Sequence, residues 1–422
     1  MIFPWYVLGL LFVAPFVDLR RPLRLLHLDL AVLLAAGFGP LYAYVRFEQP
    51  RGSIVLAVAG LAYLAARLLR SGFRPPARPG RLVPVLGLKW LAVALVIVLA
   101  GRVAYLVADD QPVHDVGLAS VAGADRIADG DPLYDDRLDR DFFHFDSYGP
   151  ATYLSYVPFE QALPWNGAPV TSPEYENPAA ARAAAVTFDL LVVLCLLLLG
   201  GRLRSGSDGR LLGVALAYAW ASYPYTLLVL RHSFNDALVA LLVLLAVLAV
   251  PHAAGRGAAA ALATATKFGP AVIAPILATG TGERRARSWM VFGASFGLVT
   301  LAAFGPLVPD GGLEELYRRT LGYQQDRPGY NSLWARFPGL DGVQLLAQGA
   351  AVALALGLAV VPRRRTFVQI IALAAAVLVA VQLTIGYWVS AYLVWFAPLA
   401  FAALFTAHDC SPRAPAASPR PA

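Results

Sequence analysis

The sequence predicts an all-α polytopic membrane protein, and three observations carry that prediction. Hydrophobic residues make up 58% of the 422 and charged residues only 14%, giving a mean hydropathy of +0.61. Apolar runs of about 17–25 residues, the length that crosses roughly 30 Å of hydrocarbon, recur from end to end. The runs are continuous, whereas a membrane β-barrel would alternate polar and apolar positions in segments of about ten. The net charge of +7 does not indicate nucleic acid, because the arginines sit in short clusters between apolar runs, as membrane topology requires. Cys195 lies in an apolar run and Cys410 near the end, a pattern of neither disulfides nor metal ligands.

Residues 1–17 are apolar, and Asp18, Arg20, Arg21 and Arg24 follow them. A signal peptide has its positive charge first, so this stretch reads as an uncleaved span or a membrane-dipping helix. Residues 30–45 and 54–69 are the next spans. Five arginines and three prolines in 67–81 mark a cytoplasmic loop. Residues 1–81 thus hold three apolar segments and a basic loop ahead of residues 82–407. The run 82–107 crosses outward into an extracytoplasmic segment, 109–182, which holds fourteen of the twenty-seven acidic residues. A segment this long should carry structure of its own. Asp115 can N-cap a helix from Val116 to about Ala128, ended by Gly130 and Pro132. Its apolar positions Val116, Leu118, Val121, Ala124 and Ile127 leave Asp125, Arg126 and Asp129 to water, the pattern of a helix lying on a membrane surface. The acids from Asp125 to Asp141 read as a solvated face, and residues 148–163 as a second interfacial stretch.

The run 183–199 returns to Arg202, Arg204 and Arg210. The next, 211–230, goes out to Arg231-His232-Ser233-Phe234-Asn235-Asp236, and 237–250 comes back. A single span at 257–279 would put Glu283, Arg284, Arg285 and Arg287 outside, against the charge rule. That run is also broken at Lys267-Phe268-Gly269-Pro270. A re-entrant hairpin resolves both problems, with Lys267 near its tip, since broken backbone survives at membrane depth only where it is buried or lines a cavity. Residues 290–308 lead out to a second loop, 309–340. Residues 343–361 return to Arg363-Arg364-Arg365, and 367–383 and 389–405 complete the bundle. The tail, 408–422, is rich in Pro, Ala and Ser and reads as disordered and cytoplasmic. The expected count is about eleven transmembrane helices plus the hairpin.

The outward connections hold the groups that could do chemistry. These are Asp109, Asp110, His114 and Asp115 in the first loop, and Arg231, His232, Asn235 and Asp236 in the next. Arg327, Tyr330, Asn331 and Arg336 follow in the third, and Tyr387 and Trp388 in the last. The chain has two lysines, Lys89 and Lys267, against thirty-two arginines; a lysine in an apolar segment needs a partner. Each group also has a structural reading: Asp115 as a helix cap, Asp109 and Asp110 as markers of the water interface, Arg231 as a snorkelling side chain. His232, Asn235 and Asp236 fit a turn and cap, and Lys267 a structural charge. Lys89 reads as snorkelling inward; Asp189, within an apolar run, has no assigned partner. No metal-ligand spacing appears among the six histidines.

Several motifs, in order, resemble the GT-C superfamily of membrane glycosyltransferases, most closely glycosyltransferase family 87, the polyprenyl-phosphate-mannose-type mannosyltransferases. They are HDVGLASVAGADRIADGDPLYD (114–135), FDSYGPATYLSYVPF (145–159), ALATATKFGPAVIAPIL (261–277), GYNSLWARF (329–337) and YLVWFAPLAFAAL (392–404). The chain departs from the family at Ser390, Ala391 and Tyr392, where histidines are frequent, and at Gly149-Pro150, where Pro-Pro is frequent. The resemblance implies transfer of a hexose, mannose above all, from a polyprenyl phosphate to a lipid or glycan acceptor at the extracytoplasmic face of the cell membrane. It implies Asp115 as the general base of an inverting displacement. Lys267, with Arg231 and His232, would hold the donor phosphate. His114, Asn235, Asp236, Tyr330, Asn331, Trp334, Tyr387 and Trp388 would contact substrate. No nucleotide-binding motif is present, in keeping with a lipid-linked donor. No cofactor is required; a divalent metal, used by some members of the superfamily, finds no convincing ligand set. The alternatives are a transporter or flippase for a lipid-linked glycan, against which the lack of an internal repeat weighs, and an inactive assembly factor.

Overall fold

The computed structural model describes residues 3–46, 51–75, 80–82, 86–109, 113–135, 139–140, 143–165, 178–281, 286–337 and 339–409. Asp110, Asp136, Asp141, the stretch 166–177, Glu283, Arg284, Arg285 and the tail from Cys410 onward lie outside them.

The apolar runs become helices. Four lie before the acidic segment: Phe3–Val13 (α1), Leu25–Arg46 (α2), Arg51–Phe73 (α3) and Leu88–Ala108 (α4). The first long loop contributes Asp115–Asp129 (α5) and Pro150–Ala162 (α6). Next come Ala179–Leu203 (α7), Gly206–Ser222 (α8), Pro224–Arg231 (α9) and Asp236–Leu248 (α10). Ala253–Thr266 (α11) breaks at Lys267 and continues through a 3₁₀ turn, Gly269–Ile273, into Ala274–Thr279 (α12). Ala286–Phe304 (α13) leads to the second loop. There Gly312–Tyr317 (α14), a π turn at Arg318–Gly322 and Tyr323–Asp326 (α15) run in series, followed by Leu333–Arg336 (α16). Asp341–Val360 (α17), Phe367–Gln382 (α18) and Leu393–Thr406 (α19) close the chain. Two-residue strand pairings join Gly80–Arg81 to His408–Asp409 and Asp139–Arg140 to Phe143–His144.

Five described helices are long and apolar enough to cross a membrane, and six if α8 and α9, bent by 58°, form one broken span. That is fewer than eleven. The other apolar helices are short: α10 has 13 residues and α18 has 16, about 20–24 Å at 1.5 Å per residue. Both are buried along nearly their whole length, so protein rather than lipid surrounds them. The N-terminal helices belong to the same core. Phe12 packs on Tyr223 and Phe401, and Phe16 on Phe405. The Tyr223 and Tyr225 hydroxyls donate to the carbonyls of Leu33 and Leu34.

The α5 helix departs from the surface-helix expectation. Every residue from Gly117 to Ala124 is buried, because its small residues let α6 approach on the face expected to meet water. A Cβ on Gly123 would collide with the Tyr153 ring. Gly130 ends the helix as expected, with φ 79° and its N–H donating to Ile127 O. Asp131 stays exposed, but Asp135 pairs with Arg126 at 2.7 Å, and Asp146 is fully buried against Arg319 at 2.9 Å. Two further buried pairs cross the core. Asp29 meets Arg67 at 3.1 Å and the Tyr63 hydroxyl at 2.7 Å. Asp189 meets Arg102 at 3.0 Å and the Trp220 indole at 2.9 Å.

The bundle's two ends differ in chemistry. At one, arginines satisfy helix C-terminal carbonyls: Arg202 donates to Leu248 O, Arg204 to Thr406 O, and Arg365 to Leu358 O. Arg256, near the start of α11, reaches Val250 O at 2.5 Å, Ala278 O at 3.2 Å and Ser288 Oγ at 2.8 Å. The start of α11 and the end of α12 therefore lie side by side, and the chain between them is a hairpin with Lys267 at its far tip. At the opposite end the acidic segment, the 231–236 turn, the second loop and the 383–390 connection converge.

Candidate functional site

Asp115 is seated by its neighbours in sequence. The His114 N–H donates to His232 O at 3.2 Å, and the two imidazoles meet edge to face at 4.0 Å. Gly117 allows α5 to approach the 231–236 turn so closely that a Cβ would lie 2.6 Å from Ser233 O; Ser233 itself holds φ 54°. His114, not Asp115, occupies the cap position, and no side chain caps the helix. The Asp115 carboxylate is thereby released from the structural task the sequence allowed it. Among the described residues it has neither a hydrogen bond nor an ion pair, and it faces a cavity of about 280 Å³. Its place in the first turn of α5 sets it against the positive end of that helix.

Lys267 forms the other wall. Its Nζ lies 2.8 Å from Asp236 Oδ1, which also accepts from the Trp395 indole at 2.6 Å. The rings of Tyr148, Trp395 and Tyr392 surround the ammonium at 5.3, 5.5 and 5.6 Å from their centroids. Tyr148 is held there because the adjacent turn docks on the hairpin. The Gly149 N–H donates to Thr266 O at 3.2 Å, and Thr152 Oγ1 to the same oxygen at 2.9 Å. Gly149 has no room for a Cβ, which would collide with the Ala265 carbonyl.

The second loop closes the site by pairing with the last connection. Tyr330 N–H donates to Gly386 O at 3.1 Å, and Trp388 N–H to Tyr330 O at 2.8 Å. The Tyr330 and Tyr387 rings stack at 5.6 Å, and the Arg327 guanidinium lies 3.7 Å from the centroid of Tyr387. Asn331, at φ 52°, turns the chain so that Ser332 Oγ reaches Gly386 O and caps α16. A second cavity of about 840 Å³ lies beyond Lys267 and shares Tyr148, Lys267, Arg327, Tyr387 and Tyr392 with the first. Trp334, whose indole is anchored to Leu383 O at 3.0 Å, lines it together with Gln344 and Gln348.

The structure thus brings together His114, Asp115, Asp236, Lys267, Tyr330, Asn331 and Tyr387 around the smaller cavity, and Trp334 at the larger. It places four expected site residues elsewhere. Arg231 pairs with Asp109 through Nε and Nη2, at 2.6 and 3.3 Å. His232 packs beneath His114 and Phe234. Asn235 is buried with its amide donating to Ser120 at 3.3 Å. Trp388 is buried with its indole on Gln382 Oε1 at 3.2 Å. Burial lowers the pKa of both imidazoles, that of His232 to about 2, so both are neutral at pH 7. Burial, aided by Asp115, raises the Tyr148 phenol well above its ordinary value. Site roles for Tyr148, Tyr392 and Arg327 were not assigned from sequence; a tyrosine before Gly-Pro and an arginine before Pro-Gly were the available signals. Among the described residues, no group of three or more His, Cys, Asp or Glu side chains could hold a metal ion. No protein family, characterised protein or solved structure matches the chain.

Proposed function

We propose that the protein is an integral membrane glycosyltransferase that moves a hexose from a polyprenyl phosphate to a lipid or glycan acceptor, with mannose the favoured sugar. The observation that carries this reading is Asp115, a carboxylate with no ion pair or hydrogen bond among the described residues, beside a cavity built from four connections and a hairpin tip. In the reaction, Asp115 takes the proton of an acceptor hydroxyl as its oxygen attacks the anomeric carbon. The bond from that carbon to the phosphate oxygen breaks, and the phosphate leaves with the electron pair. A phosphate needs little protonation to leave, so one base suffices. Tyr330 and Tyr387 offer ring faces to the sugar. The acidic end of the bundle is the extracytoplasmic one and the arginine-rich end is cytoplasmic, so the hairpin re-enters the membrane from inside. A transporter would line its path with charges at mid-depth; here the pairs Asp29 with Arg67 and Asp189 with Arg102 line neither cavity, and the pair that does, Lys267 with Asp236, sits at the hairpin tip.

The test is an assay in membranes with a radiolabelled polyprenyl-phosphate hexose and a panel of lipid acceptors. Asp115→Asn should lower turnover about 10²–10⁴-fold, the contribution typical of a general base, at unchanged expression. Turnover near that of the unaltered protein would remove Asp115 from the mechanism.

A further inference from the structure

Among the described residues two cations line the cavities, and they differ in what already surrounds them. Lys267 has Asp236 at 2.8 Å and three aromatic rings about it. Arg327 has no acidic partner and donates no side-chain hydrogen bond among the described residues; its guanidinium lies against the Tyr387 ring. It follows directly on α15, its N–H donating to Tyr323 O at 2.9 Å, and Pro328 ends the helix there. The guanidinium is therefore held against the Tyr387 ring, while Arg327 lines both cavities and a small cleft that it shares with Asp115. A planar fork of five donors fits a phosphate through two oxygens at once, and a half-buried cation without a counter-ion gains most from an anionic ligand.

We propose that Arg327, rather than Lys267 or Arg231, binds the phosphate of the polyprenyl-phosphate donor, an inference that rests on the function proposed above. Lys267 is then a positioning residue that fixes Asp236 and the aromatic wall. The only unpaired anion among the described residues lining the smaller cavity, Asp115, and its only unpaired cation, Arg327, share that cavity of about 280 Å³, which suits a base and a leaving group set either side of one reacting carbon.

The experiment measures binding of a short-chain polyprenyl monophosphate, and of the matching polyprenol without phosphate, to the full chain purified in detergent. The unaltered protein should bind the phosphate more tightly than the alcohol. Arg327→Gln should lose at least tenfold in affinity for the phosphate and keep its affinity for the alcohol; Arg327→Lys, a point charge without the fork, should fall between. Equal phosphate affinity in Arg327→Gln and the unaltered protein would overturn the assignment and leave the proposed function standing. Failure of the unaltered protein to prefer phosphate over alcohol would overturn both. Should Arg327→Gln not fold, Arg327→Lys with undiminished phosphate affinity overturns the bidentate contact.

Discussion

Asp236 is 2% exposed and accepts hydrogen bonds from both Lys267 and Trp395. A carboxylate so placed depends on its cation, and removing one partner of a buried pair costs about 3–5 kcal/mol. Lys267→Met should therefore lower the thermal midpoint in detergent, and adding Asp236→Leu should restore much of it, because both charges then leave the interior together. A double variant that melts no higher than the single one would show that the pair is not the source of the loss. Sequence pointed to Lys267 through its rarity and its place in an apolar run. It could not pair it, because Asp236 lies 31 positions away and reads by itself as a residue opening a helix. Arg231 and Asp109 were hidden in the same way: each reads as an interface residue until packing brings the two together.

At the scale of elements, the site depends on one loop seating itself on the hairpin. The Gly149 backbone lies against the Ala265 carbonyl and donates to Thr266 O. Gly149→Ala should force the turn away from the hairpin, at about 1–3 kcal/mol, the usual cost of overpacking. It should displace Tyr148 and cut transfer more than it reduces folded yield; unimpaired transfer at full yield would show that the turn can shift without disturbing the site. The break at Lys267 was legible from the interrupted apolar run. The setting of α5 was not. Its 3.6-residue apolar period is real, but Gly117, Ala119, Ala122 and Gly123 also permit close packing on a second side, and periodicity does not report what will approach.

Over the whole molecule, the predicted alternation of acidic and arginine-rich connections becomes two chemically distinct ends. A reporter placed after Thr279 should read on the same side as one placed at the C-terminus, and a cysteine at Asp131 should be labelled from the opposite side. Opposite sides for the first two would eliminate the hairpin topology. The class of fold was legible because hydropathy measures it directly. The number of spanning helices was not, since an apolar run gives the length of a segment suited to a dry environment without saying whether lipid or protein supplies it. The hairpin's two fixed points carry a final consequence. Arg256 ties its base to Val250, Ala278 and Ser288, and Asp236 holds its tip at Lys267. These anchors are eleven positions apart in the chain, close to three turns of about 3.6 residues. The arm is thus a ruler with whole-turn graduations: one residue added to α11 would rotate the tip by about 100° and present the cavity with a different side chain altogether.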